Sequence, residues 1–367
     1  MKRLFTLSAI GALALASFGA QAQFTVNGTL SPAEVGTGPG KYQLVGNYTG
    51  AHNQADRGLK ALYVGTTATT LNIMVVASAE TADYNSLVFY LDTPNRTGIA
   101  ANAQLPGSTN AGNNGRESLR QRPTLDMPVD FAFRCTTSPF LDANNAIYLS
   151  RVNYTMAPYD EVGMGAGRKD GSLTTDMNDP ILAKSAYQTS ATGSVTANTT
   201  TGWEFEMPLA ALGGATTGSD FKMMAAFIDD LKSFNVDVLP TIVGRTTALG
   251  IDPNFATIAG NQHYTYRVGT GVLASRAAVA EALGAVAYPN PVTGESQLTY
   301  TVANGAQAVS VEVYNALGQR VLNLLNADQK AGTYQVTLAP VNKLAAGNYL
   351  VKLQVGAQLT SRRVVVE

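Results

Sequence analysis

Residues 59–78 read LKALYVGTTATTLNIMVVAS, and the fold of the front of the chain is most clearly indicated here. It predicts a pair of β-strands, at 58–65 and 70–77. Side chains of a strand alternate between its two faces, and in 70–77 both faces are largely apolar. We therefore expect this strand to lie in the middle of a sheet or beneath a loop.

The same kind of segment recurs along the chain, where strand-like runs are separated by Gly, Asn, Asp and Ser clusters. Further strands are predicted at 86–92, 129–135, 146–154, 202–208, 221–229, 236–243 and 263–268. Two polar stretches, 93–122 and 156–192, are expected to be irregular, with flexible backbone at the glycine-rich residues 163–167. Residues 274–283 are the one predicted helix of any length. Recurrent strands with little helix are typical of an all-β sandwich.

Charge is sparse, since 14% of the residues are charged and the net charge at pH 7 is −1. Nucleic-acid binding requires clustered Lys and Arg, so we do not expect it, nor electrostatic binding to a membrane. Cys135 is the single cysteine, so no intramolecular disulfide can form. Its place in the strand 129–135 favours a buried apolar side chain over a reactive thiol. Stability must therefore come from a sizeable core.

The N-terminus has the build of a secretory signal peptide. Two basic residues precede an apolar run at 4–18, and an A-x-A cleavage site ends at Ala22, before Gln23. The run is too short to span a membrane, and no other apolar stretch approaches ~18 residues, so no transmembrane segment is expected. No cysteine follows the cleavage site, so a lipoprotein anchor is not expected either.

The tail of the chain carries a second set of short strands. Apolar and polar side chains alternate at 309–313 and at 349–355, and a glycine-containing turn at 315–319 joins two strands. This pattern predicts a small immunoglobulin-like sandwich. Four signatures follow one another in the tail: Tyr288-Pro289-Asn290-Pro291, a segment with Tyr314 and Gly318, a segment with Gly347 and Tyr349, and the apolar end Val364-Val365-Val366-Glu367.

This order of signatures resembles the type A sorting domain of the bacterial type IX secretion system, over the whole tail. The resemblance implies an immunoglobulin-like fold, with the secretion machinery and its sorting peptidase as partners. In the resembled family the tail directs passage across the outer membrane and is then removed as the cargo is released or attached at the cell surface. The Lys-rich ending common in that family is here Arg362-Arg363.

The expected organisation is a signal peptide at 1–22, a β-sandwich at 23–270, a linker at 271–287 and a sorting domain at 288–367. The expected location is outside the cell or on its outer surface, after removal of the signal peptide and the sorting domain.

The front region resembles a second family through four segments in order: NGTLSPAE, the strand pair at 59–78, NSLVFYLDT and GWEFEMPLAALG. This layout is similar to family 9 carbohydrate-binding modules and the related DOMON-like group, which implies a sandwich that holds sugar between aromatic side chains, usually tryptophans. Trp203, the only tryptophan, shares an apolar face with Phe205, and we interpret it as a core residue. Six tyrosines could form a different platform, and no spacing singles out a pair: Tyr84, Tyr154, Tyr159, Tyr187, Tyr264 and Tyr266.

Catalytic patterns are scarce. The two histidines, His52 and His263, have no zinc-binding spacing, and no G-x-S-x-G elbow occurs. The glycine-rich stretch 163–171 fits neither a dinucleotide-binding nor a Walker loop.

Carboxylate pairs of the kind a glycosidase uses remain open. Glu204 and Glu206 share one face of a strand, which we expect to be solvated. Asp229, Asp230 and Asp237 flank a tight connection, and we expect them to be turn residues.

Calcium is the one cofactor that the sequence supports. The segment LDTPNRTG places Asp92, Asn95 and the Thr93 carbonyl in one turn, and hard cations bind such oxygen ligands. The alternative is an Asx-type turn without an ion.

These observations predict an exported, non-enzymatic β protein. A glycan-binding module is favoured for the front region, because a rigid sandwich with long loops is a natural ligand platform. The alternatives are a structural or adhesive surface protein and, third, a glycoside hydrolase.

Overall fold

The structure is a computed structural model that describes residues 24–107, 118–174, 179–229, 233–273, 283–302, 306–315, 317–356 and 358–367. The expected signal peptide, with its cleavage site at Ala22 and Gln23, lies outside these ranges, and so do residues 274–282 of the expected helix. Within them the chain is all-β, as the sequence predicts, and its helices are short 3-10 turns. No helix in the described ranges has the length and apolar character that crossing a membrane requires.

The front region is built from antiparallel strands. In chain order they are β1 (Gln43–Asn47), β2 (Gly58–Thr66), β3 (Thr70–Ser78), β4 (Asn85–Asp92), β5 (Phe131–Thr137), β6 (Ala146–Asn153), β7 (Glu161–Arg168), β8 (Lys184–Tyr187), β9 (Gly202–Pro208), β10 (Asp220–Ile228), β11 (Phe234–Leu239), β12 (Tyr264–Arg267) and β13 (Gly271–Leu273). One sheet has the order β1-β2-β3-β9-β8. The other has the order β13-β12-β10-β4-β5-β6-β7, and β11 also pairs with β10. Side chains from both sheets share one core, which is the expected β-sandwich.

Trp203 of β9 lies in this core and is fully buried. Its ring centroid is 4.3 Å from that of Phe205, and its Nε1 donates a hydrogen bond to Ser185 Oγ at 3.0 Å. Phe205 packs edge-on against Phe89 of the facing sheet. The interpretation of Trp203 as a core residue is confirmed. Cys135 is buried in the same core, and burial raises the pKa of its thiol, as expected for an apolar core side chain.

Both sheets are also covered on their outer faces. The segment at 24–42 crosses the first sheet, where Phe24 joins Met74 of β3 in a buried cluster. The loop after β4 covers the second sheet, where Leu105 joins Val88 of β4 in another cluster. This double cover is the reason why β3 and β4 are apolar on both faces.

The stretch 156–192, expected to be irregular, contains β7 and β8. Residues 163–167 form part of β7 and pair with β6, so the expectation of a flexible loop there is wrong. Glycine has no side chain with which to show alternation, and Met164 is the one buried residue of this strand. Pairing with β6, and not the local pattern, determines β7.

The solvated face expected for Glu204 and Glu206 is also wrong, because both residues are buried. Glu204 lies beneath the N-terminal segment, and Glu206 Oε1 lies 2.9 Å from Lys184 Nζ of β8. The cover over Glu204 is remote in sequence and leaves no local signal. Asp237, expected in a turn, is buried within β11 and accepts a hydrogen bond from the Leu59 N–H at 3.2 Å. Asp229 is in a turn as expected, since its Oδ1 accepts from the Ser233 N–H at 3.0 Å, and Asp230 lies outside the described residues.

The tail forms a second sandwich with its own core. Its strands are β14 (Val286–Tyr288), β15 (Gln297–Val302), β16 (Gln307–Tyr314), β17 (Arg320–Gln329), β18 (Gly332–Thr337), β19 (Gly347–Val355) and β20 (Gln358–Val366). They form the sheets β14-β15-β18 and β17-β16-β19-β20. Leu283 and Ala285 are buried in this core, while 271–273 belong to the front sheet. The expected linker at 271–287 is therefore too long at both ends.

Candidate functional site

A pocket of about 410 Å³ opens at the end of the front sandwich where β4 begins and where β5 and β10 end. Phe140, from the loop after β5, contributes to its wall and is 55% exposed. Most of the other lining side chains can form hydrogen bonds, and they include Gln54, Arg57, Thr81, Asp83, Asn85 and Asp229. The pocket thus combines one aromatic face with several polar groups.

Hydrogen bonds join the loops around this pocket. The Phe140 N–H donates to the Thr81 carbonyl at 3.0 Å, and Asn85 Nδ2 donates to Thr81 Oγ1 at 2.6 Å. Arg57 Nε donates to the Glu80 carbonyl at 2.5 Å. Three segments that are far apart in sequence are therefore tied together, and Phe140 is presented on a fixed frame.

An aromatic pair lies next to the pocket, where Tyr84 precedes the lining residue Asn85. The ring centroids of Tyr84 and Tyr148 are 6.4 Å apart, and Tyr148 is 36% exposed. The other tyrosines considered as platforms are buried or pack against the core clusters, namely Tyr154, Tyr159, Tyr187, Tyr264 and Tyr266. Sequence reasoning missed Phe140 because a loop residue shows no alternation that would mark it.

The chemistry of this pocket suits an uncharged polar ligand with one apolar face. An exposed aromatic ring can pack against C–H groups. Carboxylates accept hydrogen bonds, a guanidinium donates them, and the side-chain amides do both. Few well-placed polar groups around an apolar wall are the usual composition of a small-molecule site.

Glu204 occupies a second polar site, beneath the N-terminal segment. Its Oε2 accepts hydrogen bonds from the Asn27 and Gly28 N–H groups at 2.8 and 2.9 Å, and its Oε1 accepts from the Tyr42 hydroxyl at 2.8 Å. Burial raises the pKa of Glu204 to about 7, against the lowering effect of these hydrogen bonds. This carboxyl group ties the N-terminal segment to β9.

The free energy of unfolding of the front sandwich is expected to fall as pH rises from about 4.5 to 7. The folded state keeps Glu204 protonated up to about pH 7, whereas the unfolded chain releases the proton near 4.5. Glu204 therefore contributes a loss of about 1.4 kcal/mol per pH unit within this window. Urea unfolding at pH 4.5 and 7.5 measures the change, with Glu204→Gln as the control, whose dependence should be weaker. Equal pH dependence in the two proteins would contradict the assignment.

Each histidine pairs with an aspartate. His52 Nδ1 contacts the buried Asp237 carboxylate, and His263 Nδ1 lies 3.0 Å from Asp126 Oδ1. In the part of the chain that the structure describes, no three His, Cys, Asp or Glu side chains come together in a way that could hold a metal ion. The first pair connects a loop to β11, and the second connects two irregular segments of the front sandwich.

The residues predicted to bind calcium each interact with a different group of the protein. Burial, reinforced by the nearby Asp130, raises the pKa of Asp92 to about 6, and Lys222 Nζ lies 4.0 Å from Asp92 Oδ2. Asn95 Nδ2 donates to the Gly213 carbonyl at 3.2 Å. Thr93 donates to Asp130 Oδ2 through both its N–H and its hydroxyl. Calcium binding at Asp92 and Asn95 stays a prediction.

In the tail, the signature Tyr288-Pro289-Asn290-Pro291 holds the C-terminal strand. Asn290 Oδ1 accepts from the Val365 N–H at 2.8 Å, and Asn290 Nδ2 donates to the Arg363 carbonyl at 3.2 Å. The Val292 N–H also donates to the Val365 carbonyl, at 2.7 Å. The Asn290 amide thus pairs with the backbone of β20 as a neighbouring strand would.

The other signature residues shape a hairpin turn and a strand end. Gly318 has φ of 77°, which glycine adopts without strain, and Asn315 Oδ1 accepts two backbone N–H bonds within the same turn. Tyr314 ends β16, and its ring lies 5.6 Å from Lys352 Nζ. Gly347 begins β19, and the Tyr349 hydroxyl donates to the Ala345 carbonyl at 2.8 Å.

Comparison with known proteins agrees with this geometry in the tail. The family model described as "Secretion system C-terminal sorting domain" matches residues 286–367. No curated protein sequence matches the chain significantly.

Among solved structures, dimeric latent PorU from Porphyromonas gingivalis is 12% identical, with 89% of this chain and 34% of that chain covered and a TM-score of 0.20. The BSP domain of a biofilm associated protein is 7% identical, with 95% of this chain and 53% of that chain covered and a TM-score of 0.17. The chain thus spans about a third and about half of these two structures. Residues 286–367 are a type IX secretion C-terminal sorting domain, and they mark the chain for export by that system.

Proposed function

We propose that the front sandwich, residues 24–273, is a non-enzymatic glycan-binding module that the sorting domain delivers to the cell surface or the medium. The observation that carries this proposal is Phe140, an aromatic side chain 55% exposed on the wall of a pocket that several polar residues also line. An exposed aromatic ring beside convergent polar groups is more useful to a ligand than to the fold.

The polar lining supports a saccharide ligand. Sugar hydroxyls both donate and accept hydrogen bonds, and the pocket offers acceptors at Asp83 and Asp229 and a donor at Arg57. The Tyr84–Tyr148 pair extends the aromatic surface beside the pocket, which suits a ligand longer than one sugar ring.

A binding role is preferred to hydrolysis because of where the unusual carboxyl groups lie. A glycosidase needs a general acid whose pKa is raised, beside a second carboxylate. The carboxyl groups with raised pKa values are Asp92, Glu204 and Asp237, and none of them lines the pocket in the described residues.

Phe140→Ala is expected to weaken binding to a recognised polysaccharide about tenfold or more, since removal of a stacking ring loses about 1.4 kcal/mol or more. Leu141→Ala is the matched control: Leu141 is 85% exposed, adjacent in sequence, and not part of the pocket wall. Affinity electrophoresis in gels that contain soluble polysaccharide measures both variants. Equal binding by wild type and Phe140→Ala would show that this pocket is not the binding site.

A further inference from the structure

One face of the sorting domain has an unusual composition. In the four-stranded sheet, residues Arg320, Tyr314, Leu350 and Arg363 are paired in one row across all four strands. These positions alternate with core residues such as Val313 and Val351, so their side chains point away from the core. We call this surface the outer face.

The outer face carries three cations, Arg320, Lys352 and Arg363, and two carboxylates, Glu312 and Asp328, so positive charge exceeds negative charge by one. Glu312 Oε1 lies 2.6 Å from Arg320 Nη1, and Glu312 Oε2 lies 3.8 Å from Lys352 Nζ. Lys352 also lies over the Tyr314 ring, at 5.6 Å from the centroid. A single carboxylate is therefore shared by two cations, and Arg363 adds a third cation that is exposed. This arrangement fits an acidic partner surface.

Apolar side chains are interleaved with these cations. Leu350 is 46% exposed in the central row, and Leu359 is 44% exposed on the neighbouring strand. At the tip of the hairpin between β16 and β17, Leu317 is 84% exposed. The turn that carries Leu317 is held by Asn315, whose Oδ1 accepts from the Leu317 and Gln319 N–H groups at 3.0 Å each. The leucine is thus presented to solvent on an ordered turn.

We infer that the outer face is the surface by which the sorting domain docks on the secretion machinery, and that the complementary surface of the machinery is acidic with apolar contacts for Leu317 and Leu350. The family match indicates that the secretion machinery is the partner of this domain. The charge and the exposed leucines of the outer face indicate where on the domain that partner docks. The signature residues Tyr314 and Gly318 then have a common role, since Tyr314 lies on the outer face and Gly318 permits the turn that presents Leu317. A scattered exposed leucine needs no explanation, whereas several beside clustered cations on one face mark an interaction site.

Charge reversal in the full-length protein tests this inference. The face variant is Lys352→Glu with Arg363→Glu, and the matched control is Lys330→Glu with Lys343→Glu, two exposed lysines outside the outer face. Both variants change the net charge equally. Lys352 lies opposite Glu312 in the sheet, so Lys352→Glu places two carboxylates opposite one another, and the melting temperature of each variant is measured to establish that it folds. The exported fraction, measured by cell fractionation, is expected to fall at least tenfold in the face variant and to stay at the wild-type level in the control.

Two further variants keep the inference falsifiable. The charge-preserving exchange Lys352→Arg with Arg363→Lys should be exported like wild type, because the carboxylates of an acidic partner can bind either cation. Leu317→Ser alters only an exposed tip and should reduce export several-fold, and normal export of this variant would contradict the contact at Leu317. The inference is overturned if the folded face variant is exported normally, or if the control loses export to the same extent. Loss of export in the charge-preserving exchange would overturn the acidic character of the partner.

Discussion

Trp203→Ala is expected to lower the free energy of unfolding of the front sandwich by about 3–5 kcal/mol. Trp203 is fully buried, packs 4.3 Å from Phe205 and donates a hydrogen bond to Ser185, so truncation leaves a cavity and an unpaired hydroxyl. This loss is a large part of the roughly 5–15 kcal/mol by which a domain is stable. Urea unfolding measures this loss, with far-UV circular dichroism as the signal because the variant has no tryptophan fluorescence.

Trp203→Phe is the control for this prediction, and it should lose less stability because most of the cavity is filled. Unchanged stability in Trp203→Ala, with a specific loss of glycan binding, would mean that Trp203 contacts ligand and not the core.

Removal of residues 283–367 is expected to abolish export. The family match covers 286–367, and the core of this sandwich begins at Leu283, so the deletion takes away the whole sorting domain and leaves the front core intact. Cell fractionation should then find that the truncated protein has not crossed the outer membrane and stays within the cell. A matched control deletes a surface loop tip of the front sandwich, residues 141–144, which includes the exposed Leu141, and should still be exported. Truncated protein in the medium or on the cell surface would show that the signal lies elsewhere in the chain.

Much of the fold could be predicted because alternation is a local property. Strands β2, β3 and β4 were all predicted within two residues of their ends. The two apolar faces of β3 correctly indicated a strand in the middle of a sheet or beneath a loop. Strand β7 could not be predicted, because its glycines carry no alternation and its pairing with β6 is a tertiary contact. Burial of Glu204 was missed for a similar reason, since Asn27 and Gly28 reach it from the far end of the chain.

The candidate site was harder to predict than the fold. The sugar-binding resemblance drew attention to tryptophan and tyrosine side chains. The aromatic ring on the pocket wall is instead Phe140, in a loop without a sequence pattern. A pocket formed by loops remote from one another depends on three-dimensional proximity, which periodicity does not report. In the tail, Asn290 and Gly318 belong to short signatures that the sequence itself singles out. Gly318 shapes a local turn, whereas Asn290 binds the backbone of β20, far along the chain.

Binding of the full-length protein to an array of plant, algal and bacterial polysaccharides tests the central proposal most directly. We expect at least one polysaccharide class to be bound by wild type and by Leu141→Ala, and the same signal to be lost in Phe140→Ala. Silence across the whole array from folded wild-type protein would contradict the glycan-binding account and favour a structural or adhesive role for the front sandwich.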